Sequence, residues 1–306
     1  MHKTFVVALA ITAGLAVAAL SGCARPASAG PRAETQAALD IRKTLDASSA
    51  ESGAAPAAEP VAAESSASGW ATLRGTFKFD GTPPAPRKLT IDKDPETCGK
   101  GNGILDNSLV VASDGGIANI VVYAKAKRVH ESAQPLGEAN TAEPIVFDQK
   151  QCTFLTHVLA CQVHQKIDVK NSDPIGHNTK IDPAKGVPFN QNLPSQQTVA
   201  YAPTDEEALP ATVSCSIHPW MRGYLLPRKD KYFAVTRPDG SFEIPNLPAG
   251  EEVEVQVWHE RANGPGGALV LVNKDLKWSA KGRFKIKLDA DQTKTLDLNV
   301  PETAFK

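Results

Sequence analysis

Hydrophobic and polar residues alternate in short segments from about residue 70 onward. In the first of these, TLRGTFKFDGTPP, Leu73, Gly75, Phe77 and Phe79 alternate with polar residues, and Asp80-Gly81 follows with turn chemistry. A period of two places every second side chain on the same face, which is typical of a half-buried strand. Short alternating segments closed by Gly, Pro, Asn and Asp predict an all-β chain with little helix.

The same pattern continues along the rest of the chain. Asp239-Gly240 predicts a hairpin turn, and Pro248-Ala249-Gly250 predicts a second turn. A strand that includes Ile167 and Val169 ends where Asn171 and Asp173-Pro174 interrupt it, so that His177 is expected just past a strand end, at the rim of a β-sandwich. Three later strands are predicted from alternating apolar residues: Val253, Val255 and Val257; Phe284, Ile286 and Leu288; and Leu296, Leu298 and Val300.

The first 68 residues lack this alternation. Residues 1–22 have a basic start, a short apolar core and small residues at the end, which is typical of an export signal rather than a membrane span. The ending LSGC resembles the bacterial lipobox. This resemblance implies that Cys23 is lipidated and that the chain is anchored outside the cytoplasm, on the periplasmic side of an outer membrane. Residues 23–68 are rich in Ala, Ser, Pro and Glu and predict a disordered tether.

Composition excludes several classes of function. Across 306 residues the formal net charge is −1, so no basic excess indicates a nucleic-acid partner. No phosphate-binding Gly-rich loop or nucleophile elbow is present, and neither His130 nor His259 begins an HExxH motif, because Gln134 and Asn263 occupy the position of the second His. We therefore expect a protein that is not an enzyme.

The strongest chemical signal is the segment VSCSIHPWMRGYLLP. Cys215, His218 and Met221 lie within seven residues and offer a thiolate, an imidazole and a thioether. These are the donors of a copper site in which two His and one Cys are completed by a long axial Met bond. The missing imidazole has to come from a distant segment, and His177 in DPIGHNTKI is the best candidate.

This segment resembles a known family. CSIHPWMRG is similar to the copper loop of the cupredoxins, above all to the amicyanin-like and plastocyanin-like members, and KIDVKNSDPIGHN is similar to the segment that supplies their first His. The resemblance covers residues 144–228 and implies a Greek-key cupredoxin domain with one type 1 copper ion bound by His177, Cys215, His218 and Met221. It also implies electron transfer with redox partner proteins. Ile217 and Ser216 depart from the usual residues of the loop, Pro and Thr.

Residues next to the ligands have expected supporting roles. Asn178 follows His177 and Ser216 follows Cys215, and a hydrogen bond between Asn178 and Ser216 would tie the two ligand segments together. Electrons are expected to pass through the edge of His218, with Pro219 and Trp220 forming the docking patch for a partner.

Segments on both sides of residues 144–228 resemble another family. DGSFEIPNLPAGEEVEV and GTFKFDG are similar to the carboxypeptidase regulatory-like or transthyretin-like β-sandwich. The resemblance implies that residues 69–143 and 229–306 form one small second sandwich, with the cupredoxin domain inserted between its halves. Trp258-His259-Glu260 ends a strand and is interpreted as a packing motif, with a sugar-binding aromatic as the alternative.

Each of the five cysteines needs a chemical role. With Cys23 lipidated and Cys215 on copper, three remain in a compartment where disulfides persist. A bridge between Cys98 and Cys152 is preferred because it would staple a loop to a strand start, which leaves Cys161 as a buried thiol; the other pairings stay open. A zinc site built on Cys152, His157, Cys161 and His164 is not expected, because alternate residues of a strand point to opposite faces.

Two other functions compete with electron transfer. One is a cell-surface β-sandwich that binds glycans or proteins and keeps the copper site for structure or as a vestige. The other is copper storage or delivery, which requires bound Cu(I) to be handed to an acceptor.

Overall fold

The computed structural model describes residues 69–101 and 103–306. The predicted signal segment, the lipidation site Cys23 and the tether lie outside the described residues. Within them, no helix is long and apolar enough to cross a membrane. The strands are β1 (Trp70–Asp80), β2 (Val121–Lys125), β3 (Ile145–Lys150), β4 (Thr153–Phe154), β5 (Val158–Gln162), β6 (Ile167–Asn171), β7 (His177–Asp182), β8 (Phe189–Leu193), β9 (Thr198–Tyr201), β10 (Ala211–Ser214), β11 (Arg222–Arg228), β12 (Phe233–Val235), β13 (Ser241–Pro248), β14 (Glu252–Trp258), β15 (Arg283–Lys287) and β16 (Thr293–Pro301).

Helical structure in the described residues is limited to single turns. They are an α-helical turn at Pro95–Cys98 and 3₁₀ turns at Glu131–Ala133, Pro265–Gly267 and Glu302–Ala304. The predicted all-β class is therefore confirmed. It follows from the period-two alternation of the sequence, which gives each strand one apolar face to bury.

The first pair of sheets, which we call the outer sandwich, uses strands from both sides of residues 144–228. One sheet has the order β13-β1-β16 and the other the order β12-β2-β14-β15. Strand β1 runs antiparallel to β13 and parallel to β16. Their inward side chains form one apolar core, which includes Leu73, Phe77, Val122, Ile244 and Val255.

The turn at Asp239-Gly240 forms, but the predicted hairpin is wrong. Gly240 has a φ of 78°, which glycine adopts without steric cost, and its N–H donates to the Arg237 carbonyl. The flanking strands β12 and β13 nevertheless belong to different sheets. The turn residues determine the local backbone, whereas the burial of apolar faces determines which strands pair, and here the chain crosses between the two sheets.

The second pair of sheets, which we call the inner sandwich, is formed by strands of residues 144–228. One sheet has the order β5-β11-β10-β7-β8 and the other the order β4-β3-β6-β9. Its apolar core includes Phe147, Val169, Ile181, Val213 and Leu225. The central pair β7 and β10 is antiparallel, which is the pairing that brings the two ligand segments to one end of the sandwich.

An apolar seam joins the two sandwiches. Val121, Tyr123 and Trp258 of the outer sandwich pack with Val158 and Leu226 of the inner one, and all five are buried. Because the Trp258 side chain is buried in this seam, it packs as the sequence interpretation expected and does not offer an exposed face to a sugar.

A segment between β1 and β2 extends from the outer sandwich onto the inner one. We call residues 87–101 and 103–106 the lid segment. Its two ends pair, with the Leu89 N–H donating to the Ile104 carbonyl and the Asp106 N–H to the Arg87 carbonyl. Cys98 and Ile104 lie in the core of the inner sandwich. This part of the chain therefore packs on the inner sandwich although it precedes residue 144.

Candidate metal centre

Two neighbouring strands deliver the predicted ligands to one end of the inner sandwich. His177 is the first residue of β7, and Cys215 directly follows β10. These strands are antiparallel, with Ser214 opposite Lys180, so the start of β7 lies beside the end of β10. His218 and Met221 follow in the loop that leads to β11.

Backbone hydrogen bonds close this loop. The Cys215 N–H donates to the Met221 carbonyl over 3.2 Å, and the Met221 N–H donates to the His218 carbonyl over 2.9 Å. The side chains of Cys215, His218 and Met221 are buried, as is that of His177. The loop therefore holds its three potential donors in a compact and water-excluded arrangement.

Three of the predicted donor atoms converge. The Nδ1 atoms of His177 and His218 lie 2.9 Å apart, and the Cys215 Sγ lies 3.7 Å from the His218 Nδ1. All three atoms fall within 4.8 Å of one another. Residues separated by 41 positions in the chain thus form one cluster that is able to surround a single ion.

The outer nitrogens of both imidazoles contact carboxylates. His177 Nε2 lies 2.7 Å from an oxygen of Asp173, and His218 Nε2 lies 2.9 Å from an oxygen of Asp94. An ionised carboxylate only accepts hydrogen bonds, so each Nε2 carries the proton and donates. In the neutral form of each ring, Nδ1 is then an unprotonated acceptor.

In this arrangement two hydrogen-bond acceptors face each other, and a cation between them would remove their repulsion. Two lone pairs facing each other at 2.9 Å repel unless a proton or a metal ion lies between them. A buried thiol next to them adds a third donor atom of the kind that soft metals prefer. The donor set therefore fits copper, and the fit follows from the partners of each ring.

Asn178 connects the two ligand segments. Its backbone N–H donates to the Cys215 Sγ over 3.3 Å, which stabilises a thiolate. Its side-chain oxygen accepts from the Ser216 N–H and the Ser216 hydroxyl, at 3.2 and 3.0 Å. The side-chain amide donates to the side-chain oxygens of Asn190 and Asn192 on β8. The structure thus brings together Asn178 and Ser216, which the sequence analysis paired.

Several hydrogen bonds hold the carboxylate of Asp173, which contacts the His177 imidazole. Its carboxylate accepts from the N–H groups of Gln151 and Cys152 at 2.7 and 2.8 Å, in addition to His177. Gln151 and Cys152 both have a φ of 53°, a left-handed conformation that costs free energy in residues other than glycine. The carboxylate offsets part of this cost. Burial lowers the pKa of His177, while the hydrogen bond to Asp173 opposes that shift.

The structure places the remaining cysteines as follows. Cys98 and Cys152 form a disulfide. The Cys152 sulfur also lies near His177 and Asp173, but in a disulfide it offers no thiolate to a metal. Cys161 is a buried free thiol, and burial raises its pKa to about 12, so it stays protonated and unreactive at neutral pH.

The predicted docking residues differ in exposure. Pro219 is exposed, whereas Trp220 is partly buried and its indole N–H donates to the Cys152 carbonyl over 3.0 Å. His218 is completely buried, with Asp94 of the lid segment over its outer nitrogen. An open His218 edge is therefore not found, because a segment more than a hundred residues earlier in the chain covers it.

His157 belongs to a separate polar network at the junction of the two sandwiches. It contacts the carboxylate of Glu260, and the other oxygen of that carboxylate accepts from the Tyr224 hydroxyl over 3.1 Å. Its partner is thus a residue of the outer sandwich and not a cysteine of the inner one. A cavity of about 350 Å³ next to this network reaches Trp220 and Met221 of the ligand loop.

The carboxylates of Asp94 and Asp173, which contact the two imidazoles, are not among the residues predicted from the sequence. The sequence pattern indicates only a strand break at Asp173, although its position four residues before His177 is a signal that can be recognised. Asp94 lies in a loop without strand pattern, and its contact with His218 spans 124 positions. Local patterns contain no information about such a contact.

Comparisons with known proteins give limited similarity. No family model matches the chain, and no curated protein does. A Cu-containing nitrite reductase from Thermus scotoductus SA-01 is 21% identical over 31% of this chain and 25% of its own, with a TM-score of 0.26. The chain therefore spans about a quarter of that enzyme. Amicyanin from Paracoccus versutus is 19% identical over 32% of this chain and 100% of its own, with a TM-score of 0.25. A reduced Cu(I) form of an amicyanin mutant is 20% identical over 35% of this chain and 99% of its own, with a TM-score of 0.26.

Proposed function

We propose that this protein is a mononuclear copper protein that transfers electrons outside the cytoplasm. The observation that carries the proposal is the convergence of the His177 Nδ1, the His218 Nδ1 and the Cys215 Sγ in a buried cluster. These three residues would hold the ion, and Met221 would add a thioether donor. Copper bound to such donors supplies reversible one-electron chemistry between Cu(I) and Cu(II).

The protein residues supply selectivity. Thiolate and thioether sulfur favour copper over hard ions such as Mg²⁺ and Ca²⁺, and imidazole suits both copper oxidation states. Asn178 donates a backbone hydrogen bond to the thiolate, which restrains the sulfur. Carboxylates hold both rings in one tautomer and one orientation. A donor set restrained in this way rearranges little when the charge of the ion changes, which is what fast electron transfer requires.

Burial favours an electron carrier over a copper enzyme. The side chains of His177 and His218 are fully buried, and those of Cys215 and Met221 are exposed by 3% or less. A catalytic metal needs an open position for substrate, as structural and catalytic zinc sites illustrate. An electron requires no such opening, because it reaches the ion through the protein.

We place the protein on the outer side of the cytoplasmic membrane. The supporting observations are the lipobox-like LSGC sequence, the tether-like composition of residues 23–68 and the Cys98–Cys152 disulfide, which suits an oxidising compartment. A lipid on Cys23 would anchor the chain to the periplasmic face of an outer membrane. Its partners would be redox proteins that reach the inner sandwich.

Absorption spectroscopy tests the function directly. Cu(II) added to the purified protein should produce an intense visible band from thiolate-to-copper charge transfer, and Cys215→Ser should abolish it. Cys161→Ala is the matched control, because it removes the other buried free thiol and should leave the band unchanged. If the band is absent from the wild-type protein, or is kept in Cys215→Ser, the function is wrong.

Copper delivery remains the competing proposal, and one measurement separates the two. A delivery protein gives its Cu(I) to an acceptor, whereas a carrier keeps its metal through repeated redox cycles. The buried ligands favour retention. Cyclic voltammetry followed by metal analysis should find the same copper content before and after many cycles.

A further inference from the structure

Asp94 forms the outer wall of the cluster next to His218. Its carboxylate lies 2.9 Å from the His218 Nε2, and the imidazole is fully buried while the Asp94 side chain is 48% exposed. The carboxylate therefore lies between solvent and the imidazole. It is also the second of two equivalent contacts, because Asp173 approaches His177 in the same way from the interior.

The local backbone conformation places the Asp94 carboxylate next to His218. The residue has φ 46° and ψ 46°, and it precedes the turn Pro95–Cys98 without a side-chain hydrogen bond to that turn. Its backbone carbonyl instead accepts from the N–H groups of Thr97 and Cys98. The carboxylate is therefore not needed to cap the helical turn and contacts His218.

The lid segment is fixed on two sides. Cys98, four residues after Asp94, is joined to Cys152, and the Cys152 carbonyl accepts from the indole N–H of Trp220. The Cys152 N–H donates to Asp173. The disulfide and the hydrogen bond from Cys152 to Asp173 thus connect the segment that carries Asp94 with the carboxylate that contacts His177.

We propose that Asp94 is a positioning residue of the copper centre and that the lid segment shields this centre from solvent. This inference rests on the proposed copper function and assigns it a new residue. The carboxylate accepts a hydrogen bond from the Nε2–H group of His218. This contact keeps the Nδ1 lone pair directed inward and increases the electron-donating strength of the ring. Its negative charge also favours Cu(II) over Cu(I). Asp94 therefore lowers the reduction potential and retains the metal.

Two substitutions separate the electrostatic effect from the shielding effect. Asp94→Asn keeps a side-chain oxygen that can accept the Nε2 hydrogen bond, and Asn tolerates left-handed backbone well, so it removes the charge alone. Asp94→Gly suits the same backbone and removes the side chain that covers His218. Asp92→Asn is the matched control, because it removes an exposed carboxylate two residues away.

The readouts are reduction potential, measured by voltammetry, and copper affinity, measured by competition with a Cu(I) chelator. Asp94→Asn should raise the potential while Asp92→Asn leaves it unchanged. Asp94→Gly should weaken copper binding about 10- to 100-fold, which is typical of a lost partner to a metal-binding His. The thermal unfolding of metal-free Asp94→Asn should be close to that of wild type, because this variant keeps an oxygen that accepts the His218 hydrogen bond.

The proposal and the copper function can fail separately. An unchanged potential in Asp94→Asn together with an unchanged affinity in Asp94→Gly, while the visible band is intact, would overturn the role of Asp94 and leave the copper function standing. A loss of affinity in Asp94→Gly that is matched by equal destabilisation of the metal-free protein would also overturn it, because Asp94 would then act on the fold.

Discussion

The imidazoles of His177 and His218 face each other through their Nδ1 atoms at 2.9 Å, while a carboxylate contacts the opposite nitrogen of each ring. The rings are thus held as two acceptors around one point. With both rings neutral, neither can donate to the other, so the pair needs a cation between the two Nδ1 atoms, either a proton or a metal ion. The first prediction follows from it.

Copper should stabilise the fold through His177. A ligand that binds only the folded state, at a free concentration of 1,000 times its Kd, adds about 4 kcal/mol to the free energy of unfolding. Cu(II) should therefore raise the unfolding temperature of the wild-type protein and leave that of His177→Ala unchanged. His164→Asn removes a partly buried imidazole outside the cluster and should respond like wild type. An equal response of His177→Ala to copper would contradict the ligand assignment.

Asn178 should matter more than its neighbour Asn190. Asn178→Ala removes the acceptor of both Ser216 donors, which loosens the ligand loop and should cost about 1–3 kcal/mol of unfolding free energy. The thiolate band of the copper form should also shift in wavelength. Asn190→Ala changes an exposed residue of the same network and should cost about 0.5 kcal/mol or less. Urea unfolding of both variants tests the difference, and equal costs would contradict it.

Acid should destabilise the protein through His259, which lies outside the cluster of His177, Cys215 and His218. Burial lowers the pKa of His259 to about 3 from an ordinary value of 6.5. Below pH 6.5 the unfolded chain binds a proton at His259, whereas the folded chain binds it only when the pH falls to about 3. Stability is therefore lost as the pH falls from 6.5 to about 3.

The size of this effect can be measured with a variant. Each pH unit within the window changes the free energy of unfolding by about 1.4 kcal/mol, so the loss between pH 7 and pH 5 should be about 2 kcal/mol. His259→Asn should lose that much less stability over the same interval, measured by urea unfolding of the metal-free protein. The same pH dependence in both proteins would show that His259 does not stay neutral in the fold.

The seam should couple the two sandwiches. Leu226 is fully buried between them, and Leu226→Ala should cost about 2–5 kcal/mol of unfolding free energy. The substitution weakens the packing between the two sandwiches, so they should no longer unfold together. Calorimetry of the variant should therefore show two separated transitions where the wild type shows one. Leu155→Ala, at a residue that is 57% exposed, should change neither. A single transition in Leu226→Ala would mean that the sandwiches unfold together without the seam.

The sequence predicted the fold class because period-two alternation is a local property. It also predicted which residues could form a metal site, since Cys215, His218 and Met221 are close in the chain and carry recognisable chemistry. It did not predict the crossing of the chain at Asp239-Gly240, because turn residues do not specify the partner strand. Pairing depends on apolar faces that are brought together only in the complete fold.

The covering of His218 was beyond the reach of sequence patterns for a related reason. The sequence around Asp94, KDPETCGKG, is polar and reads as an ordinary loop. Its position over the imidazole depends on the disulfide to Cys152 and on the packing of Cys98 and Ile104 in the inner core. These are long-range contacts, and each is visible only in three dimensions.

The parallel pairing of β1 with β16 has a consequence for biogenesis. Thr72 lies opposite Thr293, so more than two hundred residues must emerge during synthesis before β1 finds this neighbour. Contacts of such long range form slowly, whereas the strands of the inner sandwich are close in sequence and can assemble earlier. Until β16 arrives, one edge of β1 presents unpaired backbone groups that invite aggregation.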